Sequence, residues 1–214
     1  MASIVGRGIR IEVGSVEGSA KTVSAVTQAD PGVATSTAHG LLTKSVGYFS
    51  GVSGMVNLEG QAARLGTILT DSVSLPDIKT TNLPAFTGTC SFIPVTTFAT
   101  LGRITSYSIG GGEGEKLDDT VLLDNIKQEL QGLLAAQTVT FNLNQPTISD
   151  TAMTLLRTTA RESGYLVFRI TLSDGNVRVF RGQPSLPGED VQKGAIGTGS
   201  FSVTVKGFVI EGAA

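Results

Sequence analysis

Apolar and polar residues alternate with a period of two in several short stretches of this chain, and no other feature constrains its fold as strongly. Near the N-terminus, Ile9, Ile11 and Val13 alternate with Arg10 and Glu12. The same alternation recurs at residues 139–143, 166–172, 177–180 and 201–205. Successive side chains of a strand point to opposite faces of a sheet, so each stretch predicts a strand with one buried face.

The composition agrees with a mainly β fold. The 214 residues include 27 glycines and only 16% are charged, a mixture that favours short strands joined by tight turns over long helices. Because 40% of the residues are hydrophobic, the chain can bury a core in one domain or in two small ones. The sequence therefore predicts a globular, mainly β protein.

One stretch predicts a full helix. Residues 150–162 place Ala152 and Leu156 on one face, Ser149 is a suitable N-cap, and Gly164 ends the pattern. The turn Ser173-Asp174-Gly175-Asn176 then predicts a hairpin between the strands on either side of it.

The spacing of apolar residues between positions 117 and 134 changes from strand-like to helix-like. This change predicts a strand followed by a short helical turn. The glycine-rich residues 110–115 before it are predicted to form a flexible tip, held down only by a neighbouring copy.

The composition of the sequence differs between residues 21 and 91, where Gly, Ser and Thr are frequent and turn signals recur. This segment is predicted to be a small β module inserted into a core domain made of residues 1–20 and 92–214. If the module is independent, replacing residues 24–88 with a short linker should leave the core able to assemble.

Residue types that carry catalysis are scarce. His39 is the only histidine, which excludes a metal site built from two imidazoles, and neither H-E-x-x-H nor C-x-x-C occurs. A turn histidine that caps backbone groups is favoured over a functional one. Cys90, the only cysteine, is predicted to be a small buried hydrophobe rather than a nucleophile. The chain is predicted not to be an enzyme.

No cofactor, metal or nucleic-acid site is predicted. The glycines from Gly110 to Gly114 lack a following Lys-Ser/Thr pair and open onto acids, which would repel phosphate. Asp118, Asp119 and Asp124 lack the spacing of an ordered Ca²⁺ loop. The net charge is −2 without a basic run, so negligible affinity for DNA is expected. The sequence has neither a signal peptide nor an apolar run that could span a membrane.

Charge is distributed unevenly along the chain. Residues 113–129 carry six acids and two lysines, a net charge of −4, whereas residues 151–206 carry seven basic residues and four acids, a net charge of +3. Unlike patches favour head-to-tail self-association, with ordinary solubility as the alternative. The predicted contact residues are four acids of the first patch and four arginines of the second: Glu113, Glu115, Asp118, Asp119, Arg157, Arg161, Arg178 and Arg181.

The order of features from Arg103 onward resembles the tail-tube proteins of long-tailed bacteriophages. Residues 103–115 (RITSYSIGGGEGE) are similar to the family's strand and long loop, and residues 117–127 (LDDTVLLDNIK) to its acidic strand ending. The Gly132-Leu133 step, the helix, the hairpin and the closing strand follow in the same order. Residues 33–41 and 51–60 resemble a small β module that is found inserted in many phage structural proteins.

The resemblance implies a β-sandwich or half-barrel flanked by a helix, whose subunits join edge strands into a hexameric ring with an inner β-barrel. Stacked rings would form the tail tube through which DNA is ejected. The implied partners are further copies of the chain and other tail proteins such as the tape measure, tail tip and terminator. DNA would pass without specific binding, and no membrane would be involved. The implied location is the virion tail, after synthesis in the host cytoplasm.

Two other classes of protein are alternatives. A receptor- or carbohydrate-binding β module of a phage particle is disfavoured because Trp is absent and only three Tyr are present, whereas such sites rely on aromatic rings. A hydrolase is disfavoured by the missing catalytic motifs. The structural tail protein is the favoured prediction.

Overall fold

The fold of the chain was obtained as a computed structural model, which describes residues 8–121, 125–145 and 150–213. It is mainly β with one α-helix. The elements in chain order are β1 (Arg10–Glu17), β2 (Lys21–Val23), β3 (Ala25–Val26), β4 (Gly32–Thr35), β5 (Val46–Ser50), a 3-10 turn (Val56–Leu58), β6 (Ala62–Arg64), β7 (Ser72–Leu75), β8 (Cys90–Thr100), β9 (Ile104–Gly110), β10 (Gly114–Asp118), β11 (Glu129–Leu134), β12 (Thr138–Asn144), α1 (Thr151–Arg161), β13 (Leu166–Thr171), β14 (Asn176–Pro184), β15 (Gly188–Asp190) and β16 (Thr198–Ala213).

One eleven-stranded antiparallel sheet organises the molecule. Nine of its strands follow the order β6-β5-β8-β1-β13-β14-β16-β12-β9, while β2 pairs with β8 and β15 pairs with β16. A three-stranded sheet (β3-β4-β7) and a two-stranded sheet (β10-β11) complete the fold. The predicted mainly β fold and the predicted hairpin between β13 and β14 are confirmed. The large sheet stays open, with β6 and β9 at its two edges, so the described residues of a single chain do not close a barrel.

The first core lies under the alternating strands predicted from the sequence. Phe141 of β12 stacks on Phe201 of β16 with ring centroids 4.9 Å apart, and Phe168 of β13 stacks on Phe180 of β14 at 5.1 Å. Aromatic pairs at these separations add to the stabilisation that burial of their area provides. Helix α1 packs against the same cluster through its buried residues Ala152, Met153 and Leu156.

The N-terminus of α1 is capped by Asp150. Its Oδ1 accepts a hydrogen bond from the Ala152 backbone N–H at 3.0 Å, which satisfies one of the unpaired amides of the first turn. The predicted helix is therefore confirmed, and Asp150 has the capping role. Ser149, the cap predicted from the sequence, lies outside the described residues.

Replacing Asp150 with Ala should lower the free energy of unfolding by about 1 kcal/mol, because the Ala152 amide loses its acceptor. Urea unfolding monitored by circular dichroism measures this change. Replacing the neighbouring, exposed Thr151 with Ala is the matched control and should leave the stability nearly unchanged. Equal effects of both variants would contradict the capping role.

A second core belongs largely to residues 21–91. Phe49 of β5 and Phe92 of β8 meet edge to face at 5.3 Å, and Met55, Leu58 and Leu65 are buried around them. This segment also contributes β2, β5 and β6 to the large sheet, where β2 and β5 pair with overlapping residues of β8 on its two opposite edges. The proposed boundary between residues 91 and 92 falls inside β8. The division into module and core domain stays a prediction.

A third apolar cluster lies on the opposite face of the sheet from the first. Because side chains alternate along β13, Val167 points away from the neighbouring Phe168 and joins Val177 and Val179 of β14. Val46 and Tyr48 of β5 cover these valines. Strands from residues 21–91 therefore shield an apolar face of the predicted core domain.

Polar side chains fasten β6 to the last strand. The Gln61 amide donates to the Phe208 carbonyl at 3.0 Å and accepts from the Phe208 N–H at 2.8 Å. Arg64 donates to the Ala213 carbonyl and forms an ion pair with Asp77 at 3.1 Å. The contacts of Gln61 and Arg64 with the last strand join residues that are nearly 150 positions apart in the sequence.

The short helical turn predicted at the end of residues 117–134 is wrong. Residues Glu129–Leu134 form β11, which pairs with β10 so that Leu117 lies opposite Leu130. A spacing of three and four between leucines is compatible with a helix, but Gly132 weakens a helix and the cross-strand partner decides the conformation. Leu122 and Leu123, which also entered the prediction, lie outside the described residues.

Candidate interface for self-association

Strands β10 and β11 form a hairpin-like projection, here called the arm (Gly114–Asp118 and Glu129–Leu134). Its side chains are almost entirely exposed, and most of its apolar residues are among the exposed large hydrophobics of the chain. Leu117 is 48% exposed, Leu130 56% and Leu133 85%. An exposed apolar surface of this kind marks a site of interaction with another molecule. The glycine-rich residues 110–115, predicted to form a flexible tip, lead into β10, which is paired with β11.

The two faces of the arm differ in character. One face carries the directly opposed Leu117 and Leu130, and a Cβ placed on Gly132 would lie only 3.3 Å from Leu117 Cδ1. By alternation, Glu115 and Asp119 lie on the same side as Leu117, one before it and one after it. This surface, here called the leucine face, therefore has an apolar centre with an acid near each end.

The opposite face of the arm is polar and already paired. Glu129 accepts ion-pair contacts from Lys116 at 3.2 Å and from Lys127 at 2.9 Å, and these two lysines lower the pKa of the Glu129 carboxyl. The Thr120 hydroxyl and amide lower the pKa of Asp118 by hydrogen bonding to its carboxylate. Asp118 and Glu129 stand opposite each other in the register. The charges of this face are thus largely satisfied within the arm.

Two of the predicted arginines lie together on helix α1. Arg157 and Arg161 are four residues apart, so they project from the same side of the helix. They line a cavity of about 470 Å³ between α1 and the connection at Leu186 and Pro187. Arg157 forms an ion pair with Glu189, whereas Arg161 is exposed and has no ion-pair partner among the described residues. This cavity, here called the helix groove, combines apolar side chains with positive charge.

The other two predicted arginines lie elsewhere, on opposite faces of β14. Arg178 donates to the Tyr107 hydroxyl at 3.1 Å, and its Nε lies 2.7 Å from Glu211 as an ion pair without hydrogen-bond alignment. Arg181 lies over the rings of Tyr48 and Tyr165, 4.0 Å and 4.8 Å from their centroids. The four arginines named from the sequence therefore do not form one continuous surface.

Strand β9 presents the longest free edge of the large sheet. Val205 donates to the Gln137 carbonyl and Gln145 donates to the Gly197 carbonyl, so odd-numbered residues along β12 point their backbone groups towards β16. Even-numbered residues of β12 therefore point towards β9. By the observed register, the backbone groups of Tyr107 and Ile109 face outward, and no strand in the described part of the chain pairs with them.

A cavity of about 780 Å³ opens beside this edge, between β9 and the start of β1. Ile9, Ile11 and Leu101 contribute apolar side chains to it. Strand β9 itself contains neither a charged residue nor a proline, the devices that usually protect a sheet edge from pairing. The edge is thus suited to pairing with a strand from another copy. Sequence patterns missed it, because the alternation of residues 104–109 does not show which side of the strand lacks a partner.

His39 has the backbone-capping role predicted for it. Its Nδ1 accepts from the Leu41 N–H at 2.9 Å, so the ring hydrogen is on Nε2, which donates to the Leu69 carbonyl at 3.0 Å. Cys90 is buried, and its burial, followed by the nearby Glu59 charge, raises the pKa of the thiol to about 11. A thiol with such a pKa is a poor nucleophile at neutral pH.

Two further features, a metal-binding cluster and a membrane-spanning helix, are absent from the described part of the chain. Residues 8–121, 125–145 and 150–213 contain no group of three or more His, Cys, Asp or Glu side chains that could hold a metal ion. Over the same ranges, no helix is both long and apolar enough to cross a membrane.

Comparison with known proteins identifies a family whose model covers most of these elements. The family model described as "Phage tail tube protein, TTP" matches residues 53–207, which is more than half of the chain. No curated protein matches the sequence at a significant level. The match includes β9, the arm, α1 and both strands of the β13–β14 hairpin. The chain therefore belongs to the phage tail tube protein family.

Proposed function

We propose that this chain is the repeating subunit of a phage tail tube: copies join side by side into rings, and the rings stack into a channel through which DNA is ejected. Membership of the tail tube family supports a structural role in the virion tail. The ring is proposed to be hexameric, as the sequence resemblance implies. Further partners are other tail proteins, such as the tape measure, tail tip and terminator, and synthesis takes place in the host cytoplasm.

The observation that carries the proposal is the long edge of β9, which no described strand pairs with, beside an open cavity with a mixed polar and apolar lining. A free edge pairs readily with another strand, and a closed ring is the arrangement in which every copy receives such a partner. Pairing through backbone hydrogen bonds would extend the sheet from one subunit to the next. This geometry accounts for lateral joining.

Stacking of the rings is assigned to the arm. Glu113, Glu115, Asp118 and Asp119 are all exposed, and Arg157 and Arg161 offer positive charge on a separate surface. A contact between two different surfaces of the same protein is heterologous, so it can repeat along an axis without closing. Exposed ion pairs contribute only about 0–1 kcal/mol each, so several must act together.

The DNA that is proposed to pass through the tube is not expected to bind to the chain. With a net charge of −2 and no basic run, the chain has little long-range attraction for phosphate. A conduit needs DNA to slide, and strong phosphate contacts would hold the DNA in place. We therefore assign no DNA-binding residues.

Replacing Glu113, Glu115, Asp118 and Asp119 with Ser should block tube growth while leaving the subunit folded, because all four side chains are exposed. Negative-stain microscopy of the purified proteins measures the effect, and circular dichroism checks the fold. The matched control replaces Lys116 and Lys127 with Ser, which removes charge of the opposite sign from the same arm and should permit tubes. Normal polymerisation of the four-acid variant would refute the stacking role, and unmodified protein that stays monomeric at high concentration would refute the tube function.

A further inference from the structure

The leucine face of the arm is exposed and has no packing partner among the described residues of the subunit. Leu117 and Leu130 lie opposite each other in the register and are 48% and 56% exposed. Complete removal of a side chain of this size from water stabilises a contact by about 1.5–3 kcal/mol. A two-stranded sheet also gains little stability alone, so an apolar face of this kind is stabilised by packing on another surface.

The helix groove has the complementary character. Leu186 is 56% exposed at its side, Pro187 adds a second apolar side chain, and Arg157 and Arg161 line its helical wall. Among the described residues, Glu189 is the single acid that lines the groove, and it is already paired with Arg157. The charge available to a partner is therefore that of Arg161, with part of that of Arg157.

We propose that the leucine face of one copy docks into the helix groove of a second copy, with Leu117 and Leu130 against Leu186 and Pro187. Glu115 and Asp119, at the two ends of the leucine face, then approach Arg157 and Arg161. The apolar centre of the leucine face then meets the apolar side chains of the helix groove, and its acidic ends meet the arginines of the groove. Apolar burial and charge therefore favour the same partner. This inference rests on the proposed tube function and specifies which surfaces meet when subunits stack.

The apolar part of this contact has a consequence that charge alone does not have. Salt screens exposed ion pairs but leaves hydrophobic burial intact or strengthens it. Tubes should therefore persist at salt concentrations that would dissociate a purely electrostatic contact. The leucines add a part of the affinity that salt does not screen, and the acids remain necessary because they set the orientation of the arm.

Thiol cross-linking between two differently tagged chains tests the contact directly. One chain carries Leu117→Cys and the other Leu186→Cys, both with Cys90→Ala to remove the native thiol. A short bifunctional thiol reagent should give the mixed cross-linked dimer in assembled tubes and not in free subunits. Lys116→Cys replaces Leu117→Cys as the matched control, because it lies on the opposite face of the arm and should give little product.

The critical subunit concentration for assembly provides a second measurement that needs no cysteine variant. Replacing Leu117 and Leu130 with Ser should raise this concentration at least tenfold. Replacing Leu42 and Leu69, two exposed leucines in residues 21–91, should change it less than twofold.

These measurements separate the contact from the function on which it rests. Intact tubes without the mixed cross-linked product, equal product from Lys116→Cys, or a critical concentration unchanged by the two arm substitutions would each overturn the proposed contact while leaving the tube function standing. Cross-linking within one chain that carries both cysteines, in the free monomer, would show that the arm packs on its own groove and would overturn it too. Absence of any ring or tube from the unmodified protein would overturn both proposals.

Discussion

Replacing Ser106 and Ser108 of β9 with lysine is expected to abolish ring formation while leaving the subunit monomeric and folded. Both side chains are exposed, so the substitution removes no core contact. Lysine on an edge strand keeps a second strand from pairing, because its charge would have to be buried or repelled at the new junction. In a ring, the same two charges would recur at every subunit boundary.

The geometry of the sheet singles out β9 rather than its other edge. The outward backbone groups of β9 belong to Tyr107 and Ile109, on a strand of seven residues. The opposite edge strand, β6, has three residues, and the flanking Gln61 and Arg64 side chains fasten it to β16. Among the described strands of the large sheet, β9 therefore offers the longer free edge, and in a ring it would meet a different surface of the next copy.

Sedimentation velocity and negative-stain microscopy would measure the loss of rings. The matched control replaces the same two residues with threonine, which keeps a neutral hydroxyl and a side chain favourable for strands, and should assemble normally. Rings formed by the lysine variant at the unmodified protein's concentration would exclude β9 as the joining edge.

Local patterns were sufficient to predict the elements of the first core. The period of two at residues 139–143 and 201–205 became β12 and β16, and the helix appeared where its apolar face was predicted. These elements could be predicted because each buries one face regardless of its neighbours. The order of strands could not be predicted, since β1 lies between β8 and β13, whose residues are some 80 and 160 positions away.

The burial of the charged residue Glu12 is a second feature that local sequence patterns could not predict. Glu12 is 2% exposed, yet it occupies a polar position in the alternating pattern of β1. Arg169, 157 residues later, donates to it from Nε at 2.8 Å, and Arg10 lies 2.9 Å away. A carboxylate tolerates burial only when paired in this way. No local sequence pattern predicts that Arg169 is the partner of Glu12, because the two residues meet only through the pairing of β1 with β13.

The candidate interface was predicted in composition but not in arrangement. The acids at residues 113–119 lie on an exposed arm, as a patch of like charge on a surface should. Their division between two faces depends on the register of β10 with β11, which includes a bulge. Likewise, Arg178 and Arg181 are close in sequence but separated by the alternation of β14. Net charge per segment does not carry this information.

Replacing residues 24–88 with a short Gly/Ser linker is expected to cause loss of soluble, folded protein, in contrast to the tolerance that a modular insertion would predict. Chain closure is not the obstacle, because Val23 and Cys90 are cross-strand neighbours in the register of β2 and β8. The obstacle is the third apolar cluster, in which β5 and β6 cover Val95, Val167, Val177 and Val179.

The size of this effect follows from the area that would be uncovered. Four buried valines returned to water cost about 6 kcal/mol in total, at roughly 1.5 kcal/mol each. The free energy of unfolding of a domain is itself only about 5–15 kcal/mol. Arg181 would lose the Tyr48 ring beneath it as well. The truncated chain is therefore expected to be marginally stable and to aggregate through the exposed face.

A rescue variant separates exposure of that face from loss of fold information. In the truncated chain, Val95, Val167, Val177 and Val179 are replaced by threonine, which keeps the branched shape favourable for strands and accepts contact with water. Solubility and cooperative thermal unfolding should return in this variant but not in the truncation alone. Because β9, the arm and α1 are all retained, the rescued chain should also form tubes. A truncated chain that stays soluble, unfolds cooperatively and forms tubes without the four threonines would show instead that residues 21–91 are an independent module, and that their packing on the valine face contributes little to the stability of the core.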